Sequence, residues 1–439
     1  MKVLLLWPKF PATFWSFKSA LSFIAKKAAF PPLGLLTVAA LLPQEWKKKV
    51  IDLNVEKLKD EDILWADFVF ISGMGIQKDS AAELIETIKR FNKKIVAGGP
   101  LFINDYEEFS KNVDHFVLDE GEVTIPMFLA DLKKGALKKI YRSDIRPDIK
   151  KTPRPAWELI KLKHYATMCV QYSRGCPYNC EFCDIVVLNG RIPRAKGKEQ
   201  ILSELDALYE LGWRESIFFV DDNFIGNKAE LKKEILPAII KWQKERNFPF
   251  SLNTQLSINL SDDEELMDLM VSAGFGTVFI GIETVEEESL QECQKLQNMN
   301  RDLLSSIKII HDKGFQIQAG FILGFDNDAS SIFNRMIDFI QKSRITMAMV
   351  GLLQVMPKTR LWQRLEKEKR LLNRATGDNT DGALNFIPKM NRNSLLTGYK
   401  RVVDHIYAPK HYSQRLISFL REYKPKKHKK YKMNFSQSI

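Results

Sequence analysis

Histidine and cysteine are both scarce in this chain, with six of the first and five of the second among 439 residues. No histidine falls between His164 and His311, so the middle of the chain lacks the mixed Cys and His ligand sets of many structural zinc sites. Long apolar runs are missing too. The longest uncharged apolar stretch, 28–43, is broken by Pro31 and Pro32 and is too short to cross a bilayer. No basic segment, apolar core and cleavage site open the chain as in a secretory leader. The first third contains no Gly-x-Gly-x-x-Gly, which argues against NAD. Aromatic and basic residues do not interleave as they do on RNA-binding sheets, so nucleic acid is not an expected partner.

Against that scarcity, Cys176, Cys180 and Cys183 lie within eight residues. Five cysteines spread evenly would stand about 90 residues apart, so the clustering requires a chemical cause. Thiolates are soft ligands that select zinc, copper(I) or iron–sulfur clusters. A structural zinc site would want a fourth Cys or His close by. Three cysteines suit a four-iron, four-sulfur (4Fe-4S) cluster with one iron left open, since the all-protein cluster takes four; zinc or a disulfide is the rival reading. Reactive thiols need a reducing compartment, so the cytoplasm is expected.

The Cys-x3-Cys-x2-Cys spacing, with Arg174-Gly175 ahead of it and Phe182 before the last cysteine, resembles the radical S-adenosylmethionine (SAM) family. The resemblance implies a 4Fe-4S cluster whose open iron is chelated by the amino and carboxylate groups of SAM. It also implies reductive SAM cleavage to a 5′-deoxyadenosyl radical, fed by an electron donor such as flavodoxin or ferredoxin, with Phe182 among the SAM contacts.

The first third reads as a doubly wound parallel α/β sheet, because short, nearly continuous apolar runs alternate with helical ones. Strands are expected at 2–7, 49–53, 68–73, 94–98 and 115–118, with helices at 33–42, 80–91 and 123–133. Such sheets bind ligands at the carboxyl ends of their strands. There lie Ser72-Gly-Met-Gly-Ile-Gln77, Ala97-Gly-Gly-Pro100 and Asp119-Glu-Gly-Glu122. Their glycines serve either close approach to a bulky ligand or ordinary turns. A sheet domain with Ala-Gly-Gly-Pro and Glu-Gly-Glu ahead of the cysteine triplet is similar to the cobalamin-dependent (class B) radical SAM enzymes. This Rossmann-like, cobalamin-binding type of domain implies cobalamin contacts at Ser72, Met74, Gln77, Gly98, Gly99, Pro100, Glu120, Gly121 and Glu122. No Asp-x-His-x-x-Gly supplies a lower axial histidine; His115, the only one in this domain, reads as a core or edge residue of its strand.

Thr152-Pro-Arg-Pro-Ala156 marks a linker. The expected division is 1–145 for the sheet domain, 146–165 for the linker, 166–370 for a partial β/α barrel and 371–439 for a mostly helical extension. Catalytic groups of β/α barrels project from strand carboxyl ends. Strands are expected at 167–172, 216–220, 250–253, 277–282, 316–323 and 347–353. Asp221 and Asp222 are adjacent, so alternation lets one point inward. Carried over from the radical SAM resemblance, Asp222, Gln255, Glu283, Gly320 and Gly324 are SAM contacts. The family's glutamate after Gly324 is replaced by Asn327, between Asp326 and Asp328. Cys169, inside a strand, reads as a small core residue, and Cys293 as structural.

Gly398-Tyr-Lys-Arg401 and Ile406-Tyr-x-Pro409 resemble the carboxyl-terminal extension of hopanoid and bacteriochlorophyll methylases. So does the aromatic amino-terminal loop, Trp7 to Phe17, followed by 26–34. Such a loop covers a flat macrocycle or an apolar substrate, or folds onto its own core. The net charge of +12 owes much to six lysines and a histidine in 424–432. That run reads as a solvated tail, or as a contact with an anionic membrane surface or acidic partner. The resemblance implies a C-methyltransferase acting on an unactivated carbon of an apolar small molecule, a terpenoid lipid or a tetrapyrrole, with cobalamin delivering the methyl group. The alternatives are non-methylating radical chemistry (cyclisation, coupling or oxidation) and a non-catalytic metal protein docked through its tail.

Overall fold

A computed structural model describes residues 1–13 and 16–425; the basic run from Lys426 onward lies outside them. The chain packs as two compact units, Met1–Trp213 with Gly351–Lys389, and Arg214–Val350 with Met390–Ile439.

The first unit is built on a parallel sheet of β1 (Lys2–Trp7), β2 (Lys47–Asp52), β3 (Phe68–Ser72), β4 (Lys94–Gly98), β5 (His115–Val117) and β6 (Ile140–Tyr141). Their order is β2-β1-β3-β4-β5-β6. Val3, Leu4, Leu5 and Leu6 are all buried, because helices cover both faces and leave no solvated side that would impose alternation. Helices Leu33–Leu41, Lys78–Arg90, Pro100–Phe109 and Gly121–Lys133 follow β1, β3, β4 and β5 in the chain. The strands expected at 2–7 and 94–98 match β1 and β4, and the others agree to within about two residues.

The same unit continues into β7 (Thr167–Val170), where the expected strand to Tyr172 stops short. Two-residue strands β8 (Ser173–Arg174) and β9 (Arg194–Ala195) then pair antiparallel, Arg174 opposite Arg194. The segment 146–165 does not divide the units. Arg146 donates to the carbonyl oxygens of Val187 and Leu188, and Thr152 Oγ1 to Glu122 at 2.8 Å, so it packs within the first unit.

In the second unit β10 (Ser216–Phe219), β11 (Ser251–Leu256), β12 (Phe275–Glu283), β13 (Gln316–Leu323) and β14 (Met347–Leu352) lie in the order β14-β13-β12-β11-β10. The pairs from β10 to β13 are parallel. β11 runs past its expected end because Leu252, Thr254 and Leu256 alternate inward and keep the period of two. Helices Arg392–Tyr407 and Pro409–Glu422 form the extension. Among the described residues, no helix is long and apolar enough to cross a membrane.

Candidate cofactor sites

The cysteine loop hangs from the β8–β9 ribbon. Gly175 has φ +99°, and a Cβ there would stand 2.7 Å from the Ile192 carbonyl oxygen, so only glycine fits between Arg174 and Cys176. Cys176 N donates to the Gly190 carbonyl at 3.1 Å, and Cys183 N to that of Cys180 at 3.2 Å. Glu181, between the last two cysteines, is buried and receives Arg364 Nε at 2.7 Å and Nη2 at 3.0 Å. Its own carbonyl accepts from Leu361 N. The helix Arg360–Lys367 therefore grips the loop through a two-pronged guanidinium, the geometry that Arg offers and Lys does not.

All five cysteines are thiols outside any disulfide, Cys176 and Cys183 half-buried and Cys180 buried. Three thiols on one loop offer one thiolate to each of three irons, which suits a four-iron cluster with one iron left open. Burial drives the Cys169 thiol well above its ordinary range, and Cys293 Sγ is buried against the Leu290 carbonyl, so both serve as core residues.

At the carboxyl edge of the first sheet the expected cobalamin residues separate into two kinds. Met74 is 47% exposed, a Cβ on Gly75 would meet nothing within 4 Å, and Pro100 is exposed; together they leave room for a broad ligand. Gln77, Glu120 and Glu122 are occupied by the chain itself. Gln77 is buried, its Oε1 accepting from Met74 N at 2.8 Å and its Nε2 donating to the Pro8 carbonyl at 2.5 Å. Glu120 accepts from Arg174, Arg194 and Arg146, and Glu122 from Arg174 and Thr152. Burial works to raise Glu122, yet the guanidinium of Arg174 and the Thr152 hydroxyl hold it below the usual carboxylate range. Gly98 and Gly99 are required by the fold. A Cβ on the first would stand 2.5 Å from the Val117 carbonyl, and one on the second, at φ +88°, would collide with Ser72 Oγ. Gly121 has no such conflict. His115 begins β5, at the amino end of the sheet, and its Nδ1 lies 2.7 Å from the Lys138 carbonyl, which removes it from the ligand edge. The amino-terminal loop is tied to that edge instead, with Phe10 N donating to Asn54 Oδ1 at 2.8 Å.

In the second unit Asp222, Gln255, Glu283 and Gly324 lie at consecutive strand ends, with Gly320 inside β13. Asp221 is fully buried and Asp222 half-buried, so the adjacent carboxylates lie in different surroundings, as alternation requires. Gln255 Nε2 donates to the Asp221 carbonyl at 2.5 Å and Thr254 Oγ1 to that of Phe219 at 3.0 Å, stitching β11 to the end of β10. Glu283 ends β12 in the left-handed region, φ +66°, at a register shift against β13. Its carboxylate is buried and accepts from Lys295 Nζ at 2.7 Å. A Cβ on Gly281 would strike that carboxylate and sit 2.9 Å from the ammonium, so Gly281 makes the space in which the pair forms.

A Cβ on Gly320 would meet the Phe279 ring at 3.1 Å, and Gly324 has φ +112°. The acid that serves this turn is Asp328. Its Oδ2 accepts from Gly324 N at 2.8 Å and Phe325 N at 3.1 Å, and its Oδ1 from Ser289 Oγ at 2.9 Å. Burial lifts Asp328 to about 6 in spite of those bonds. Asn327 is exposed and bonded to Glu292. Sequence reasoning missed Arg194, Arg146, Arg364 and Lys295. Nothing in their local pattern separates them from surface cations, because their partners lie up to 183 residues away.

Comparison with known proteins agrees with this geometry. The radical SAM superfamily profile matches residues 170–340, a B12 binding domain 26–129, and a domain of unknown function, DUF4070, 359–439. An uncharacterized methyltransferase of Synechocystis sp. is 44% identical, covering 94% of this chain and 78% of that protein. Hopanoid C-2 methylase of Rhodopseudomonas palustris is 35% identical over 93% of this chain and 77% of its own length. In fold, the chain is similar to the cobalamin-dependent SAM radical enzyme OxsB, solved with aqua-cobalamin and SAM, at TM-score 0.71 and 17% identity, covering 96% of this chain and 70% of that one. The family's cofactors are a 4Fe-4S cluster, SAM and cobalamin, and its reaction takes a small-molecule substrate and a reductant. With relatives of that identity aligned along nearly its whole length, the chain belongs to the cobalamin-dependent radical SAM family.

Proposed function

We propose that this protein is a C-methyltransferase that acts on an unactivated carbon of an apolar small molecule, a terpenoid lipid or a tetrapyrrole. When bound, the cluster, SAM and cobalamin supply the electron, the hydrogen-abstracting radical and the methyl group; the protein supplies position and dryness. Cys176, Cys180 and Cys183 hold the cluster, and Phe182, Asp222, Gln255, Glu283, Gly320 and Gly324 contact SAM. Ser72, Met74, Gly98, Gly99, Pro100 and Gly121 form the edge that receives cobalamin. Glu283, already adapted to an ammonium, offers a carboxylate to the methionine amino group or to ribose hydroxyls.

The observation that carries the apolar substrate is the amino-terminal loop between β1 and the helix Leu33–Leu41. It leaves Phe23 91%, Ile24 57% and Phe30 49% exposed, apolar side chains within one segment that are open to an apolar ligand. The proposed reductant is a flavodoxin or ferredoxin in the cytoplasm, and the basic tail supplies a peripheral contact with an anionic membrane.

Anaerobic reconstitution followed by iron, sulfide and cobalamin analysis tests the cofactors. Incubation with methyl-labelled SAM, a strong reductant and an apolar lipid or pigment extract tests the reaction. Label in an apolar product, with 5′-deoxyadenosine released, is expected. Deoxyadenosine without labelled product would favour cyclisation, coupling or oxidation, and zinc without sulfide would end both readings.

A further inference from the structure

Two arginines stand opposite each other on the β8–β9 ribbon, Arg174 two residues ahead of the first cysteine ligand and Arg194 on the return strand. Like charges placed directly across a ladder repel, so the ribbon needs a counter-charge. Glu120 and Glu122, at the start of the helix Gly121–Lys133, provide it. Glu120 Oε2 accepts from Arg174 Nη1 at 2.9 Å and Arg194 Nη1 at 3.0 Å, and its Oε1 from Arg194 Nη2 at 2.8 Å and Arg146 Nη1 at 3.3 Å. Glu122 takes Arg174 Nη2 at 2.7 Å and Nη1 at 3.1 Å.

The guanidiniums pass the restraint onward into the loop. Arg194 donates to the Asn189 carbonyl at 3.1 Å, and Arg146 to those of Val187 and Leu188. Both carboxylates, Arg174 and Arg194 have side chains between 7 and 17% exposed. Buried charge pairs of this kind fix geometry, because either partner alone carries a large desolvation cost.

We infer that Glu120 and Glu122 are positioning residues for the iron–sulfur cluster: through Arg174, Arg194 and Arg146 they fix the loop that carries Cys176, Cys180 and Cys183, and they do not contact cobalamin. The inference rests on the family's cluster and cobalamin, whose presence in the parent protein is measured first.

The test uses the full chain with Glu120→Gln, Glu122→Gln and Arg174→Lys, the last keeping the charge but losing the fork that reaches both carboxylates. Each variant is reconstituted, its cluster read by iron and sulfide content and by the reduction midpoint and line shape of the reduced cluster in electron paramagnetic resonance. Hydroxocobalamin is titrated by its visible spectrum. The expected result is a lowered cluster content or shifted midpoint with cobalamin affinity unchanged, and partial recovery in Glu120→Asp. A tenfold or greater loss of hydroxocobalamin affinity with a parental cluster signal would overturn the inference, as would a folded Glu120→Gln protein parental in every readout or one that loses both cofactors alike. Should the buried variants fail to fold, Arg146→Gln decides. Its side chain is 37% exposed, and it must move the cluster signal without moving cobalamin.

Discussion

Glu120 of the first unit and Glu283 of the second are both carboxylates at strand ends, both buried, and both already paired with a cation from elsewhere in the chain. They differ in how they are held. Glu120 sits under three planar guanidiniums, two of which, Arg146 and Arg194, also bond backbone carbonyls, so its lone pairs are consumed and no incoming ligand can replace one partner without stranding the others. Glu283 has, among the described residues, one side-chain partner, the Lys295 ammonium. Lysine is a compact charge on a flexible stem, and another ammonium or a hydroxyl can substitute for it. The first arrangement suits a permanent anchor and the second an exchangeable ligand site.

The sharpest way to break this contrast is to remove the anchor. Glu120→Ala leaves buried arginines uncompensated and is expected to cost about 3–5 kcal/mol, the usual penalty for stranding one side of a buried ion pair. Urea denaturation checks this, and a loss below about 1 kcal/mol, the level of a surface pair, would mean that the three arginines do not depend on Glu120.

Asp328 gives the next effect, through pH. Its carboxyl is raised to about 6 in the folded chain and titrates near 3.9 when unfolded. Between those values the native state holds more protons, so stability falls as pH rises through the window, by on the order of 2–3 kcal/mol. The stability difference between the parent and Asp328→Asn, read from denaturation midpoints at pH 4.5 and 7.5, should shift against the parent as the pH rises; an identical pH dependence in the two proteins would remove Asp328 as its source. His311 acts in the opposite sense. Burial lowers it to about 4, so the stability that comes from its neutral form is present above its unfolded value of about 6.5 and is lost as the pH falls toward 4.

Glu283→Gln should cost less stability, about 1–3 kcal/mol for the ammonium left behind, while weakening SAM binding by tenfold or more. Equilibrium dialysis with labelled SAM separates the two, and unchanged affinity would place Glu283 with Glu120 as an anchor. Smallest is Gly281→Ala. Its methyl group occupies the space of the Glu283–Lys295 pair, so SAM affinity should fall in the same direction as in Glu283→Gln but by a smaller factor, since Lys295 can shift.

Much of this was legible in the residues themselves. β1 and β4 announce themselves because a strand buried on both faces must be apolar throughout, and the cysteine spacing declares its chemistry because thiolates near one another need a metal. Glu283 is readable as a buried acid after an apolar strand. Arg364 was not readable, since its salt bridge to Glu181 joins positions far apart in the chain and a lysine-rich surface hides it among many cations. Which of Asp221 and Asp222 is the more buried was not readable for a related reason: strand alternation sends the two to opposite faces but loses its phase where the strand ends at Phe219.

The sequence alone therefore determined most strands of the two sheets and the thiolate ligands, because hydrophobic period and ligand chemistry are local properties, and it pointed to SAM and cobalamin through its resemblance to a family. Tertiary structure decided which acids are ligand sites and which are anchors. That choice depends on where distant arginines and lysines arrive, and a carboxylate's identity in the sequence is the same in both roles.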